Sequence, residues 1–381
     1  MKVLILVRIL WASGAQKIAI EEARHLSMMG HDVKLIFLRE GSSGKYLIES
    51  MKGLEWEVFS TAKPNPVYSY VTGLFMPDRK GGGTLDYNLL KSYAASLTRR
   101  DADLIVCHDQ WAGIAGLRVK KRFGIPFVVL CHERVSGEYR VPVLGKFARS
   151  TEKTVLENAD RVFGITDKVA ASIQNTYGIH AIPNYPGMDI RSSRGFRERD
   201  NALLASATWD ANRDPALYVR IVQRLPGFKL YVVGRFRTNE QREMFLKFVE
   251  SESLSKNVII VDGIGDKDLQ DLYGRVKFNI RFGMDEWGLG TSNIEAISHL
   301  TPVVVNSELG ISKLISAIGG GFVLPEKDPK LIEPDKVAIF VKENNIEENY
   351  EKIQNQLRSI TERFTWKSHS NKLIHHLTHV D

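Results

Sequence analysis

Short apolar runs rich in β-branched residues recur along this chain, each followed by a helical or loop segment too long for a hairpin, and the series occurs twice. Residues 3–7, 33–38, 104–107, 127–131 and 162–165 carry the first series; residues 203–207, 229–233, 258–261, 278–280 and 303–305 carry the second. Strands that are apolar on successive residues are buried on both faces, and strands joined through helices pair in parallel. The pattern predicts an α/β fold of two Rossmann-like domains, each a parallel sheet with helices on both faces. The length, 381 residues, agrees with two cores rather than one. The expected domains are residues 1–190 and 191–360, with the charged stretch 191–201 as the linker. Residues 361–381 are expected to be helical and to pack back on the first domain. Ligands of such sheets bind outside the carboxyl ends of the strands, so two sheets facing each other would enclose a cleft there.

The second series contains the most telling motif, residues 282–305, FGMDEWGLGTSNIEAISHLTPVVV. Glycines at 288 and 290 let backbone approach a diphosphate closely, and the helix beginning near Thr291 turns its positive end toward phosphate charge. Glu295 lies one turn into that helix, where a carboxylate can accept both hydroxyls of a ribose. Ile294, Ala296, Ile297 and Leu300 give the helix an apolar face for packing. The same residues would also suit a plain strand-loop-helix turn with a surface glutamate.

Composition narrows the partners. A hydrophobic share of 43% with 25% charged residues supports well-filled cores, and the net charge of +7 suits an anionic ligand or an acidic membrane face. The basic residues are scattered, without the aromatic interleaving of a nucleic-acid surface, which argues against nucleic acid as partner. Cys107 and Cys131 each end an apolar run, as buried free thiols of a reducing compartment would. Arg8 interrupts the N-terminal apolar run too early for a signal peptide, and no segment reaches membrane-spanning length. The expected location is the cytoplasm, free or on the membrane surface. Residues 63–90, with Tyr68, Tyr70 and Phe75, read as a long functional loop.

Several further segments carry a family resemblance. Ser13-Gly14-Ala15-Gln16-Lys17, the helix after it and Gly30-His31-Asp32-Val33 resemble an opening glycine loop and strand entry. His132-Glu133 follows a central strand, Ile182-Pro183-Asn184 with Gly187 and Asp189 precedes the second half, and Trp209-Asp210 with Arg213-Asp214-Pro215 follows its first strand. Glu295-Ala296 and Thr301-Pro302-Val303-Val304 complete the set. In order and spacing these resemble the retaining glycosyltransferases of the family 4 type, with the GT-B arrangement of two Rossmann-like domains. The resemblance runs nearly end to end.

It implies a sugar transferred from a nucleotide-diphosphate sugar to an acceptor hydroxyl with retention of configuration, the acceptor being a glycan, glycolipid or lipid-linked saccharide. The first half would hold the acceptor and the second the donor. It implies no cofactor and no metal, the diphosphate being neutralised by side chains. Donor-binding candidates are Gly14, Thr208, Arg281, Gly288, Gly290, Thr291 and Glu295; catalytic candidates are Arg213, Glu286 and His132. Arg213 would take the charge that grows on the leaving diphosphate, and His132 would hydrogen-bond a sugar hydroxyl. No side chain is assigned as base, because the resemblance implies that the leaving phosphate takes the acceptor proton. Two positions depart from the family: Trp287 stands where its first glutamate falls, with Glu286 one residue early, and uncharged Thr208 stands where an arginine is usual, with Arg281 nearby as substitute. Asp101-Ala102-Asp103 matches a metal-binding triplet but precedes its strand, and reads as helix-end polarity.

Basic residues Lys120, Lys121, Arg122, Arg134, Arg140, Lys146 and Arg149 point to a weak contact between the first half and anionic lipid. Two other functions suit the same fold. One is a sugar-nucleotide epimerase; the other is a binding or scaffold protein that lost the chemistry, as Thr208 and Trp287 permit. A phosphorylase would need a cofactor lysine, for which no context exists.

Overall fold

The first apolar run becomes the middle of β1 (Lys2–Leu10), an inner strand of a parallel sheet in the computed structural model. The structure describes residues 1–41, 43–61, 67, 71, 87–135, 146–210, 213, 215–284 and 286–375. Beside β1 lie β2 (Asp32–Glu40) and β3 (Glu55–Ser60) on one side, and β4 (Leu104–His108), β5 (Phe127–Cys131), β6 (Arg161–Gly164) and β7 (Ile182–Pro183) on the other. Every pairing is parallel, from Lys2 opposite Asp32 to Gly164 opposite Pro183. β4 and β5 are buried along their whole length, as strands covered on both faces must be.

The second sheet repeats the plan with β8 (Asp200–Ser206), β9 (Lys229–Val233), β10 (Val258–Val261), β11 (Val276–Arg281), β12 (Val303–Asn306) and β13 (Gly321–Leu324), in the order β10-β9-β8-β11-β12-β13. In each sheet the strand order reverses once, between β1 and β4 and between β8 and β11. A crevice opens at such a reversal because the flanking connections leave in opposite directions. The loops after β1, β4, β8 and β11 are therefore the ones positioned to hold a ligand.

The chain divides into two compact units, Met1–Pro186 with the segment from Trp366 onward, and Gly187–Thr365. The charged stretch 191–201, expected as a linker, is instead built into the second unit. Arg199 is 5% exposed and donates to the carbonyls of Val276 and His299 and to Thr301 Oγ1 at 2.9, 2.6 and 2.5 Å, while Arg191 N–H reaches Ser298 O at 2.8 Å. The carbonyls of Ser298 and His299 are left over at the end of the helix Thr291–Ser298, and that of Val276 opens β11, so the stretch is charged in order to cap structure.

The C-terminal helical segment breaks at Phe364 and Thr365: the helix Glu347–Arg363 belongs to the second unit and the helix Trp366–His375 to the first. Trp366 stacks on His25 of the helix Gly14–Met28, ring centroids 5.6 Å apart. Gly14 is thus the first residue of a helix rather than part of a loop. Cys107 and Cys131 are free and buried. Tyr68, Tyr70 and Phe75 lie outside the described residues. Among the described residues, no helix is long and apolar enough to cross a membrane.

Candidate active site

At the strand reversal of the second unit, an aromatic stack fixes two loops. Trp209, just after β8, is 1% exposed, packs edge-on against Tyr218 and donates its indole N–H to Val233 O at 3.2 Å. Tyr218 in turn stacks on Phe282, just after β11, with centroids 5.4 Å apart, and its hydroxyl accepts the Phe282 N–H at 2.9 Å. Buried Asn306 closes the second loop from the other side, accepting from Gly283 N–H at 3.1 Å and donating to Gly283 O at 2.9 Å. Trp209 and Gly283, close in sequence to Arg213 and Glu286, are thereby held to the core.

Between these loops the carboxylate of Glu286 sits in a fork of two guanidinium groups. Oε2 accepts from Arg281 Nη2 at 2.8 Å, and Oε1 accepts from Arg213 Nε. Arg281 is 7% exposed and also donates to Ser206 O at 3.0 Å, while Arg213 donates to Thr208 O at 3.3 Å. Burial alone would raise the Glu286 carboxyl, but the two arginines hold it below the usual carboxylate range. The carboxyl folds back against Gly283, where a Cβ would come within 2.5 Å of Oε1 and would push the carboxyl out of this position. Two cations and one anion leave a net positive charge at the crevice.

The neighbouring loop ends at Gly290, whose φ of +70° suits glycine, and the helix Thr291–Ser298 starts there without a side-chain cap. Its first-turn N–H groups and the helix dipole add to the positive field. Glu295 is 9% exposed and accepts from Gln270 Nε2 at 3.2 Å. Gln270 accepts from His299 Nε2 at 2.9 Å, and His299 Nδ1 contacts Ser192 Oγ at 2.6 Å. Burial, then the arginines at 191, 199 and 194, pull His299 down to about 4 and keep it neutral.

At the strand reversal of the first unit, β4 ends in His108 and β5 leads into His132. His108 Nδ1 lies 3.0 Å from His132 Nε2, and His108 Nε2 lies 2.6 Å from Glu22 Oε2. The other oxygen of Glu22 lies 2.6 Å from Nε2 of His369, whose Nδ1 lies 2.9 Å from Tyr185 O. The side chains of Glu22, His108 and His369 have no exposed surface, whereas His132 is half-buried. Burial, reinforced by His108, pulls His132 down to about 3, so its ring is neutral. Burial acts to raise Glu22, yet His108 and His369 hold it well below the usual carboxylate range. Nearby, Asp109 pairs with Arg8 at 2.7 Å and accepts the Ala112 N–H at 2.7 Å.

Residues 13–184 match the glycosyl transferase 4-like domain, and residues 189–359 match the glycosyl transferases group 1 family. The chain belongs to the group 1 glycosyltransferases. Its fold is similar to that of Anabaena HepE crystallised with UDP and glucose, with a TM-score of 0.75 at 15% identity over 99% of each chain. Sucrose-phosphate synthase from Thermosynechococcus elongatus gives 0.73 at 15% identity, over 98% of this chain and 97% of that one. WaaG, a glycosyltransferase of lipopolysaccharide biosynthesis, gives 0.67 at 15% identity over 97% and 98%. No curated protein matches the chain in sequence.

In this glycosyltransferase the structure gathers Thr208, Arg213, Arg281 and Glu286 into one cluster, with Gly288, Gly290, Thr291 and Glu295 on the adjoining loop and helix. Gly14 and His132 belong to the first unit. Arg213 turns its side chain to Glu286, while Asp210 faces Arg237 at 4.0 Å; Asp214 lies outside the described residues. Sequence reasoning missed Glu22 and His369, separated by 347 positions, and Asn306. A carboxylate on the apolar face of an amphipathic helix was the one available signal for Glu22. Among the described residues, no group of three His, Cys, Asp or Glu side chains is arranged to hold a metal ion.

Proposed function

We propose that this glycosyltransferase moves a sugar from a nucleoside-diphosphate sugar to the hydroxyl of a glycan, glycolipid or lipid-linked saccharide, with retention of configuration. The observation that carries the reading is the pair Arg213 and Arg281 at the second strand reversal, beside a helix start without a side-chain cap. Cleaving a sugar-phosphate bond places negative charge on the departing diphosphate, and preorganised guanidinium and N–H donors stabilise that charge as it grows. Glu286 occupies the guanidinium pair. An entering diphosphate takes its place and frees the carboxylate to accept from a sugar hydroxyl. Glu295, steadied by Gln270, receives the ribose, and His132 of the first unit receives a hydroxyl of the sugar. That HepE was crystallised with UDP and glucose supports a uridine diphosphate sugar as the first donor to try.

The decisive experiment is a melting-temperature panel with UDP, GDP, ADP and CMP and their sugar derivatives, followed by donor hydrolysis without acceptor. A nucleotide at 100 times its dissociation constant raises stability by about 2.7 kcal/mol. Product anomeric configuration, read by proton coupling constants, tests retention. No shift with any nucleotide and no sugar release would leave the binding or scaffold reading, which Trp287 at the family's first acidic position favours.

We further propose that the first unit touches anionic lipid. A groove of about 610 Å³ between the helices Tyr87–Ser96, Gly113–Phe123 and Lys146–Asn158 is lined by Lys91, Arg118, Lys121 and Arg122. Lys120 is turned inward to Asp160 at 2.8 Å, and Arg140 lies outside the described residues. Flotation with anionic and neutral vesicles at low salt is the test, and equal recovery from both removes this contact.

A further inference from the structure

Four side chains of the first unit form one unbroken line of hydrogen bonds, and its protons can be counted. The line runs from Tyr185 O through His369, Glu22 and His108 to His132, with contacts of 2.9, 2.6, 2.6 and 3.0 Å. A carbonyl oxygen only accepts, so Nδ1 of His369 carries a proton. One proton then lies between His369 Nε2 and Glu22 Oε1, one between Glu22 Oε2 and His108 Nε2, and one between His108 Nδ1 and His132 Nε2. With those protons in place and none on His132 Nδ1, the group as a whole is neutral. Adding one to His132 Nδ1 would leave an uncompensated positive charge on a half-buried ring backed by three side chains with no exposed surface, which desolvation opposes. Reversing the contact between His108 and His132 requires a proton on both nitrogens of His108 and one on His132 Nδ1, and gives the same unfavourable charge.

We infer that Glu22, His108 and His369 are positioning residues that hold His132 in one tautomer, protonated on Nε2, so that its Nδ1 accepts a hydrogen bond from a hydroxyl of the bound sugar. This rests on the reading of His132 as the substrate-facing residue of the first unit. His132 is the end of the line and its half-buried member, and among the described residues His108 is its hydrogen-bond partner. A ring with a fixed acceptor presents the same hydrogen-bonding role to every donor molecule, which a freely exchanging imidazole would not.

The test uses the full chain labelled with nitrogen-15 in histidine, the His132 signal being identified by its loss in His132→Gln. Long-range proton–nitrogen spectra at neutral pH should show Nε2–H and a bare Nδ1. Glu22→Gln should keep that tautomer, because an amide accepts from His108 and donates to His369 with the whole line satisfied. His369→Gln should switch it: the amide donates to Glu22 but brings no extra proton, so His108 takes one up and donates to His132, which moves its own proton to Nδ1. The same variant should raise the KM for the sugar donor roughly tenfold, the scale of one lost hydrogen bond, and leave affinity for the bare nucleotide unchanged. A wild-type His132 protonated on Nδ1, or a His369→Gln protein still protonated on Nε2, overturns the relay. A switched tautomer with unaltered kinetics overturns the role of Nδ1 as acceptor for the sugar hydroxyl, since a hydroxyl can also accept from Nδ1–H, while the relay stands. Should His369→Gln not fold, the wild type and Glu22→Gln decide, since both must show Nε2–H.

Discussion

Glu286 binds both arginines proposed to hold the donor diphosphate, so its substitution should act on stability and on ligand at once. Glu286→Gln leaves two guanidinium groups in a largely buried crevice without their anion, a change that costs about 3–5 kcal/mol when a buried pair is broken. The same variant should bind the bare nucleotide roughly tenfold tighter, because the phosphate no longer displaces a charge-assisted bond worth about 1.5–3 kcal/mol. Calorimetric titration and denaturant unfolding measure the two effects, and unchanged nucleotide affinity would show that phosphate and carboxylate do not share the site. The pH dependence follows from the lowered carboxyl of Glu286. The unfolded chain binds more protons than the native one as pH falls from the ordinary glutamate range to the native value, so the stabilisation is present above that range and lost through it. The stability difference between wild type and Glu286→Gln should therefore shrink on acidification. Arg213→Ala should lower turnover by roughly 10² to 10³, the scale for one lost partner of a developing anion, in steady-state kinetics with the true donor. The sequence places Arg213, Arg281 and Glu286 near strand ends but does not show them bonded to one another. Arg213 and Glu286 lie 73 positions apart, and no local pattern encodes that pairing.

At the scale of elements, the strands buried on both faces were readable because continuous apolar runs have no other stable use in a chain of this composition. The strands missed, β3, β7 and β13, lie at sheet edges, where one side is open and the residue pattern is diluted: β3 carries Glu55 and Glu57 against Lys34, and β7 is two residues long with a proline. The stretch 191–201 misled for a related reason. Its charge reads as solvent-facing, yet Arg199 is turned inward as a cap on the carbonyls after the helix Thr291–Ser298. Arg199→Leu should orphan those carbonyls and lower the stability of the second unit by about 2–4 kcal/mol, the cost of several unmet backbone acceptors. Chemical denaturation followed by hydrogen exchange at the amides of β8 and β11 reports on that unit, and a change under 1 kcal/mol, the scale of one surface hydrogen bond, would show the cap to be dispensable.

For the whole molecule, two units with separate cores should give two calorimetric transitions, and a nucleoside diphosphate should raise one of them, that of Gly187–Thr365, where the arginine pair lies. An equal rise of both transitions would mean that the nucleotide is held by both units. The helix Trp366–His375 belongs to the first unit, yet it is translated after the second. Glu22 emerges with His108 to pair with but without its other imidazole: His369 arrives only after the entire second unit has been synthesised. Until then a buried carboxylate lacks one of its two imidazoles, so the first unit, although translated first, completes its folding second. A chain stalled before Trp366 should accordingly be cleaved by protease in its first unit sooner than in its second.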